Sequence, residues 1–261
     1  MARAGSGAGA IRSRLEARRS SALDKKRWPR YLVWFNADPE DSTRMPEVMI
    51  NGPEGRIEAR YLHAQDPGAP IALMLHPHPQ HGGTMHNKVV YALYQSFVGR
   101  GYSTLRFNFR GVGRSQGTYA RGEGELSDAA SALDWLQAQN PNARNCWVGG
   151  FSFGAWIGMQ LLMRRPEIAG FISIAPPANM YDFTFLAPCP ASGLIINGSA
   201  DRVAPPADTH TLVGKLHEQK GITITHQEVP GAGHFFEDEH MDTMIDAVDG
   251  YVRRRLTEST R

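Results

Sequence analysis

The sequence has few cysteines and no long apolar run. Its 261 residues include only two cysteines, Cys146 and Cys189, which allow one disulfide but are more typical of reduced thiols in a cytosolic protein. No run of about 18 apolar residues occurs, so no segment is predicted to span a membrane. Hydrophobic residues (41%) and charged residues (21%) stand at ordinary globular values. We therefore expect a cytoplasmic protein with a sizeable core.

Acidic residues are scarce at the start of the chain. Residues 1–45 carry a net charge of +5. Because the net charge of the whole chain is +2, residues 46–261 have a net charge of −3. The larger part is therefore not basic, and this argues against a nucleic-acid-binding surface. The early stretch is rich in Arg, Ala, Gly and Ser, as are transit peptides, basic arms and disordered tails. We expect residues 1–45 to be an unstructured extension, with a start of translation at Met45 as the alternative.

From residue 46 onward, strand-like and helix-like segments alternate. After a hairpin in "VMINGPEGRIEARYLH", the continuous apolar run "PIALMLH" is typical of a buried parallel strand. The next segment, "NKVVYALYQSFVGRG", repeats apolar residues at helical spacing and ends at a glycine. The alternation continues to an amphipathic helix, "FEDEHMDTMIDAVDGYVRRRL". It predicts one α/β domain over residues 46–261, with helices on both faces of a mostly parallel sheet.

Ser152 lies between two glycines in "WVGGFSFGAW", after an apolar strand and before an apolar helix. Gly-Phe-Ser-Phe-Gly matches the nucleophile elbow, a sharp turn in which side chains two residues either side of the serine would collide. The turn lifts the hydroxyl to the start of the helix, where backbone N–H groups favour negative charge. A structural serine in a tight turn is the alternative, so the hypothesis depends on partners elsewhere in the chain.

A serine hydroxyl needs a histidine base, and that histidine needs a carboxylate. Asp201 follows the strand in "GLIINGSADRVAPP", and His234 lies in the flexible loop "VPGAGHFFED". The order serine, acid, histidine is the one that this elbow requires. We predict Ser152, Asp201 and His234 as the catalytic residues. Asp182 and Asp238 are poorer acids, because neither directly follows a strand in the required order.

Two backbone N–H groups are predicted to stabilise the oxyanion. One belongs to Phe153, the residue after the nucleophile. The other is expected from the loop after "IALMLH", which reads His-Pro-His-Pro. Because proline has no N–H, only His78 donates from this tight turn.

The segments "GFSFG", "NFRGVGRSQG" and "HPHPQHGGTMHNKVV", with the surroundings of Asp201 and His234, resemble the α/β-hydrolase family over about residues 46–256. The likeness is to a compact bacterial subgroup near dienelactone-hydrolase-like and prolyl-peptidase-like enzymes. It implies a mostly parallel eight-stranded sheet and hydrolysis of an ester, thioester or amide. Two features depart from these relatives: dienelactone hydrolases use a cysteine where this chain has Ser152, and the usual His-Gly oxyanion turn is His-Pro here.

The connection between the sixth and seventh strands, residues 175–192, is too short for the multi-helix lid that covers many lipases. We expect its apolar residues to form one wall of an open pocket or, alternatively, to pack on the sheet: Met180, Tyr181, Phe183 and Phe185.

The expected activity is that of a carboxylesterase that acts on small soluble acyl groups or on an exposed end of a larger molecule. An aminopeptidase or dipeptidyl-peptidase activity is the alternative.

Other classes of protein are less consistent with the sequence. The loop histidines His76, His78, His81 and His86 suggest a metal-binding protein, but no cysteine or acid joins them and two prolines restrict the loop. The glycines of "GVGRSQG" do not fit the dinucleotide-binding pattern G-x-G-x-x-G. A non-catalytic module would usually have lost one of the three catalytic residues. We expect no cofactor and no metal, and the sequence leaves the substrate and the oligomeric state open.

Overall fold

The structure is a computed structural model that describes residues 47–237 and 239–258. The predictions for residues 1–45 and for Met45 therefore lie outside the described residues. The described part contains one sheet of eight strands: β1 Glu47–Gly52, β2 Gly55–Leu62, β3 Ile71–Leu75, β4 Ser103–Phe107, β5 Cys146–Phe151, β6 Ile168–Ile174, β7 Gly193–Gly198 and β8 Ile224–Val229.

The strands lie in the order β1-β2-β4-β3-β5-β6-β7-β8. The hairpin β1–β2 is antiparallel, β2 pairs with β4 antiparallel, and the pairs from β4 through β8 are parallel. Strand β3 and strand β5 are fully buried, as continuous apolar strands covered on both faces should be. This topology confirms the predicted fold class.

Five helices are present in the described part: α1 Lys88–Val98, α2 Glu123–Gln139, α3 Phe153–Leu162, α4 Pro206–His217 and α5 Glu239–Glu258. The chain places β4 on one side of β3 and then returns to place β5 on the other side. Because crossovers between parallel strands are right-handed, this reversal sends α1 and α2 to opposite faces of the sheet. Helix α5 contacts α1 on one face, whereas α2 contacts α3 on the other.

The reversal of strand order also leaves a crevice at the carboxyl ends of β3 and β5, where open α/β sheets bind their ligands. The connection from β6 to β7 does not cover this crevice with a lid. It contains one short 3₁₀ turn, Thr184–Leu186, as expected from its length. Within the described residues, no helix combines the length and the apolarity needed to cross a bilayer.

Candidate active site

Ser152 occupies a strained turn between β5 and α3. Its φ of 55° and ψ of −120° lie where residues other than glycine are uncommon. A Cβ atom on Gly150 would stand 2.3 Å from the carbonyl oxygen of Gly154, and one on Gly154 would stand 2.4 Å from that of Leu75. Both glycines are therefore required by close backbone approach, as the collision argument from the sequence predicts.

Ser152, His234 and Asp201 form a continuous hydrogen-bonded chain. The Nε2 atom of His234 lies 3.0 Å from the Oγ atom of Ser152, and its Nδ1 atom lies 2.8 Å from Oδ2 of Asp201. The other carboxylate oxygen of Asp201 accepts the backbone N–H groups of Val203 and Ala204, at 2.8 and 2.9 Å. These bonds fix the carboxylate on both sides, so the imidazole is oriented with Nε2 toward the serine.

Hydrogen bonds donated by backbone N–H groups join the loop that carries Asp201 to the loop that carries His234. The N–H of Ala200 donates to the carbonyl of Ala232 at 2.9 Å, and the N–H of Gly231 donates to the Ser199 hydroxyl at 2.8 Å. A Cβ atom on Gly198 would stand 2.2 Å from that same Ala232 carbonyl oxygen. Glycine at the end of β7 is what lets the two loops approach each other.

The imidazole of His234 is packed among aromatic rings. Its ring centroid lies 5.1 Å from that of Phe151 and 5.2 Å from that of Phe235. Only 7% of His234 is exposed, whereas Phe235 is 49% exposed. The buried Phe151 thus packs against the imidazole inside the protein, and the exposed Phe235 forms part of the open edge of the site.

The serine opens into a cleft of about 420 Å³. Of the four predicted wall residues, Met180 and Tyr181 line this cleft. The other two do not: Phe183 is buried against a neighbouring cavity, and Phe185 stacks on Phe183 at a centroid distance of 6.0 Å. The prediction of a four-residue wall holds only for Met180 and Tyr181, because Phe183 is buried in the hydrophobic core and Phe185 packs against that core.

The rim of the cleft is apolar and exposed. Three large apolar side chains stand exposed among the described residues: Met180 (54%), Phe235 (49%) and Val203 (44%). All three line the cleft beside Ser152. Sequence reasoning missed Val203 and Phe235, although each lies within two residues of Asp201 or His234 and could have been found from that proximity.

The two predicted oxyanion donors flank the serine. Phe153 is the first residue of α3, so its N–H is one of the donors that a helix leaves without an internal partner. His78 lies between two prolines at the end of β3, and both residues line the cleft. Their rings are in contact, with centroids 5.0 Å apart. The oxyanion assignment itself remains a prediction.

The side chain of His78 is held by Tyr119, a residue that the sequence analysis did not single out. The N–H of Gln80 donates to Nδ1 of His78 at 3.2 Å, so the proton of the neutral ring resides on Nε2. Nε2 then donates to the Tyr119 hydroxyl at 3.1 Å. Burial and the neighbouring His81 lower the pKa of His78, which favours this neutral form.

His76 is bound within the fold rather than at the surface of the cleft. It is fully buried, its Nε2 atom accepts the N–H of Phe109 at 3.0 Å, and its Nδ1 atom lies 2.6 Å from the carbonyl oxygen of Pro77. Burial lowers the pKa of His76 to about 3. Both ring nitrogens of His76 are therefore engaged within the fold, and His76 does not line the cleft as His78 and His81 do. In residues 47–237 and 239–258, no three His, Cys, Asp or Glu side chains are arranged to hold a metal.

The glycine-rich turn "GVGRSQG" is anchored by a buried ion pair. The guanidinium of Arg110 donates from Nε and Nη2 to Asp128, at 3.0 and 2.8 Å, and the N–H of Arg110 also reaches that carboxylate. Asp128 on α2 thus fixes the turn after β4. Of the two acids judged less suitable than Asp201, Asp182 accepts hydrogen bonds from Thr184, and Asp238 lies outside the described residues.

Comparison with known proteins gives consistent matches. The family model described as X-Pro dipeptidyl-peptidase (S15 family) matches residues 39–227. A putative α/β hydrolase of unknown function from Agrobacterium tumefaciens is 62% identical, with a TM-score of 0.80, covering 82% of this chain and 97% of that chain. An α/β serine hydrolase without lid from Xanthomonas campestris is 32% identical, with a TM-score of 0.71, covering 81% and 95%. The lysophosphatidylserine lipase ABHD12 of Rattus norvegicus is 28% identical over 139 residues, which are 51% of this chain and only 34% of the lipase.

Proposed function

Because this chain belongs to the α/β serine hydrolases, within the family described as X-Pro dipeptidyl-peptidase (S15 family), we propose that it hydrolyses carboxylic esters through Ser152, His234 and Asp201. The observation that carries the proposal is the hydrogen-bonded chain from Asp201 through His234 to the strained Ser152 at the floor of an open cleft. Each member has the geometry that its role requires.

In the first half-reaction, Ser152 Oγ attacks the carbonyl carbon of the ester while Nε2 of His234 takes the hydroxyl proton. The tetrahedral oxyanion accepts hydrogen bonds from the N–H groups of His78 and Phe153. The bond to the leaving alcohol oxygen then breaks, and His234 delivers its proton to that oxygen. An acyl group remains on Ser152.

In the second half-reaction, water replaces the alcohol. His234 takes a proton from the water, whose oxygen attacks the acyl carbon, and the collapse of the second tetrahedral intermediate returns that proton to Ser152 Oγ. Asp201 keeps its negative charge throughout. It accepts the hydrogen bond from Nδ1–H of His234 and stabilises the imidazolium. The products are a carboxylic acid and the free enzyme.

The lining of the cleft favours esters over the substrates of a dipeptidyl-peptidase. Such a peptidase must hold the positively charged amino terminus of its substrate, and a buried or half-buried ammonium needs a carboxylate partner. Among the described residues that line the cleft, none is Asp or Glu. Peptidase activity stays as the second candidate, because the matching family model is named for it.

The open, apolar rim supports a small acyl substrate or the exposed end of a larger one. The similar Xanthomonas structure is described as having no lid, and the short β6–β7 connection agrees with that arrangement. The ester-cleaving lipase matches only half of this chain, so its lipid substrate is not carried over. Two free, buried cysteines support the proposed cytoplasmic location.

The deciding experiment is a substrate panel on the purified protein. p-Nitrophenyl acetate and butyrate should be hydrolysed, aminoacyl-proline coumarin amides should not, and Ser152→Ala should abolish both turnover and fluorophosphonate labelling. Activity on a short ester should rise smoothly through the solubility limit, because no lid has to open. Turnover of the proline amides without ester hydrolysis would replace the proposal with the peptidase. Labelling that persists in Ser152→Ala would remove the nucleophile assignment.

A further inference from the structure

A second cavity lies beside the catalytic cleft. Its volume is about 530 Å³, larger than the cleft itself, and it is formed by the β6–β7 connection and helix α4. Its apolar lining includes Ala178, Phe183, Leu186, Leu212 and Leu216, and charged side chains also line it: Asp182, Asp208, Lys215 and Glu218. The apolar residues suit a hydrocarbon chain, since each methylene that enters an apolar space strengthens binding about fourfold.

Tyr181 belongs to both spaces. It lines the cleft that contains Ser152, and it also lines the second cavity. The two volumes are therefore neighbours across this one residue. The only other described stretch that contributes to both is the remainder of the same connection, with Met180 on the cleft side and Ala178 on the cavity side.

The ring of Tyr181 is fixed in place by three aromatic neighbours. It stacks on Trp156 with centroids 4.2 Å apart and an interplanar angle of 21°, and it meets Phe153 edge-on at 5.9 Å. Its hydroxyl lies near that of Tyr119. Burial raises the pKa of Tyr181 to about 12, so the hydroxyl is neutral at physiological pH. A ring held in this way stands between the two spaces that it lines.

The acyl side of the substrate is the side that Tyr181 faces. The leaving oxygen must come within reach of Nε2 of His234, so the alcohol occupies the part of the cleft next to Phe235 and Val203. Tyr181 instead has its ring contacts with Phe153 and Trp156 on helix α3, whereas the ring contacts of His234 are with Phe151 and Phe235. The acyl chain, which must diverge from the alcohol, extends toward Tyr181.

We propose that Tyr181 is the specificity-determining residue for acyl length: it separates the catalytic cleft from the second cavity and restricts the enzyme to short acyl groups. The second cavity is the space that a medium-length, unbranched acyl chain occupies once the ring is removed. This inference rests on the proposed esterase function, and it goes beyond that function by naming the residue that limits the substrate.

The test compares p-nitrophenyl esters from acetate to decanoate, below their solubility limits, in wild type, Tyr181→Ala and Tyr181→Phe. In Tyr181→Ala, the ratio of kcat/KM for octanoate to kcat/KM for acetate should rise at least tenfold, mainly through a lower KM. The magnitude follows from about fourfold per methylene that enters an apolar space, reduced by incomplete burial. Tyr181→Phe keeps the ring and loses only the hydroxyl, so its ratio should stay within about twofold of wild type.

Two further variants strengthen the comparison. Ala178→Phe, combined with Tyr181→Ala, adds a ring to the lining of the second cavity and should cancel most of the gain for octanoate. Tyr181→Val retains more buried apolar surface than alanine and should give an intermediate gain, which protects the test if Tyr181→Ala folds poorly.

The failures of the two proposals are distinguishable. If wild type and all variants hydrolyse no ester of any length, the proposed function is wrong and the inference falls with it. If the esters are hydrolysed but folded Tyr181→Ala keeps the wild-type length profile, the esterase stands and the partition is refuted. An equal gain in Tyr181→Phe would likewise refute it, because the ring would then not be the barrier.

Discussion

The two sides of the active site are held together in different ways. On the acid–base side, backbone groups connect the loops after β7 and β8, as in the bond from Ala200 N–H to the Ala232 carbonyl. On the side of the predicted oxyanion donors, called the oxyanion side below, side chains from distant parts of the sequence fix the loop after β3. Tyr119 binds His78, and Asn108 accepts the N–H of Met85 at 2.8 Å.

This difference indicates where each side tolerates substitution. Backbone bonds survive most side-chain changes, so the acid–base side is sensitive mainly at the functional residues and at glycines of close approach. The oxyanion side depends on several individual side chains, and each contributes a modest hydrogen bond of about 1 kcal/mol. We therefore expect a few severely damaging substitutions on the acid–base side and several mildly damaging ones on the oxyanion side.

The largest effect is expected for Asp201→Asn. Without its carboxylate, His234 loses the partner that fixes its tautomer, and kcat should fall by about 10⁴-fold with little change in melting temperature. Steady-state kinetics on a p-nitrophenyl ester measure the loss. Asp182→Asn is the matched control, because this exposed carboxylate binds Thr184 and should leave turnover within about twofold. A loss of less than tenfold in Asp201→Asn would assign the acid elsewhere.

A smaller but still severe effect is expected for Gly198→Ala. The added methyl would stand 2.2 Å from the Ala232 carbonyl oxygen and push the two loops apart. We expect a loss of about 1–3 kcal/mol in the free energy of unfolding and a fall in kcat of at least about tenfold. Urea denaturation and steady-state kinetics measure the two effects.

Gly214→Ala provides the control for that substitution. Gly214 lies in helix α4 with open space around its Cβ position, so alanine there should be neutral or stabilising by up to about 1 kcal/mol. If Gly198→Ala behaves like Gly214→Ala, the close approach of the loops does not matter for catalysis.

The next effect concerns His76 and pH. Its pKa is about 3 in the folded protein against an ordinary 6.5, so between these values the unfolded chain binds the extra proton and stability falls as pH falls. This group alone should remove about 2 kcal/mol from the free energy of unfolding between pH 7 and pH 5. Urea denaturation of wild type and His76→Asn at both pH values isolates the contribution. An identical drop in both proteins would show that His76 titrates normally.

The smallest effect is expected for Tyr119→Phe. Loss of its hydroxyl removes the hydrogen bond to His78 and should lower kcat about two- to tenfold while KM stays constant. Tyr91→Phe on helix α1 is the control, since Tyr91 does not line the cleft. A parallel rise in KM would instead show that Tyr119 acts on substrate binding rather than on the position of His78.

The sequence predicts the parts of the site that follow from local pattern. The glycines around Ser152 predict a sharp turn. Ser152, Asp201 and His234 follow β5, β7 and β8 in turn, and the carboxyl ends of these parallel strands lie at the same edge of the sheet. The geometry of each element is set within about ten residues of chain, which is the range that sequence patterns describe.

The features that the sequence does not predict arise from contacts between distant residues. Tyr119 meets His78 from 41 positions away, and Asp128 binds Arg110 across a helix boundary. The error at Phe183 and Phe185 has a related cause. Phe183 is buried in the core and Phe185 packs against it, and the hydrophobicity of these residues does not distinguish core packing from a place in the cleft wall.

The strand that leads to Ser152, the proposed nucleophile, also contains an unreactive thiol. Cys146 begins β5, is buried, and has a pKa raised to about 12 by that burial. Thiolate is the reactive form of cysteine, so alkylating reagents should modify Cys146 only when β5 separates from its neighbours. The rate of that modification therefore measures the free energy of opening of the strand that precedes Ser152, and it needs no added label. In the Cys189→Ser variant, Cys146 is the one remaining cysteine, so the signal comes from that strand alone.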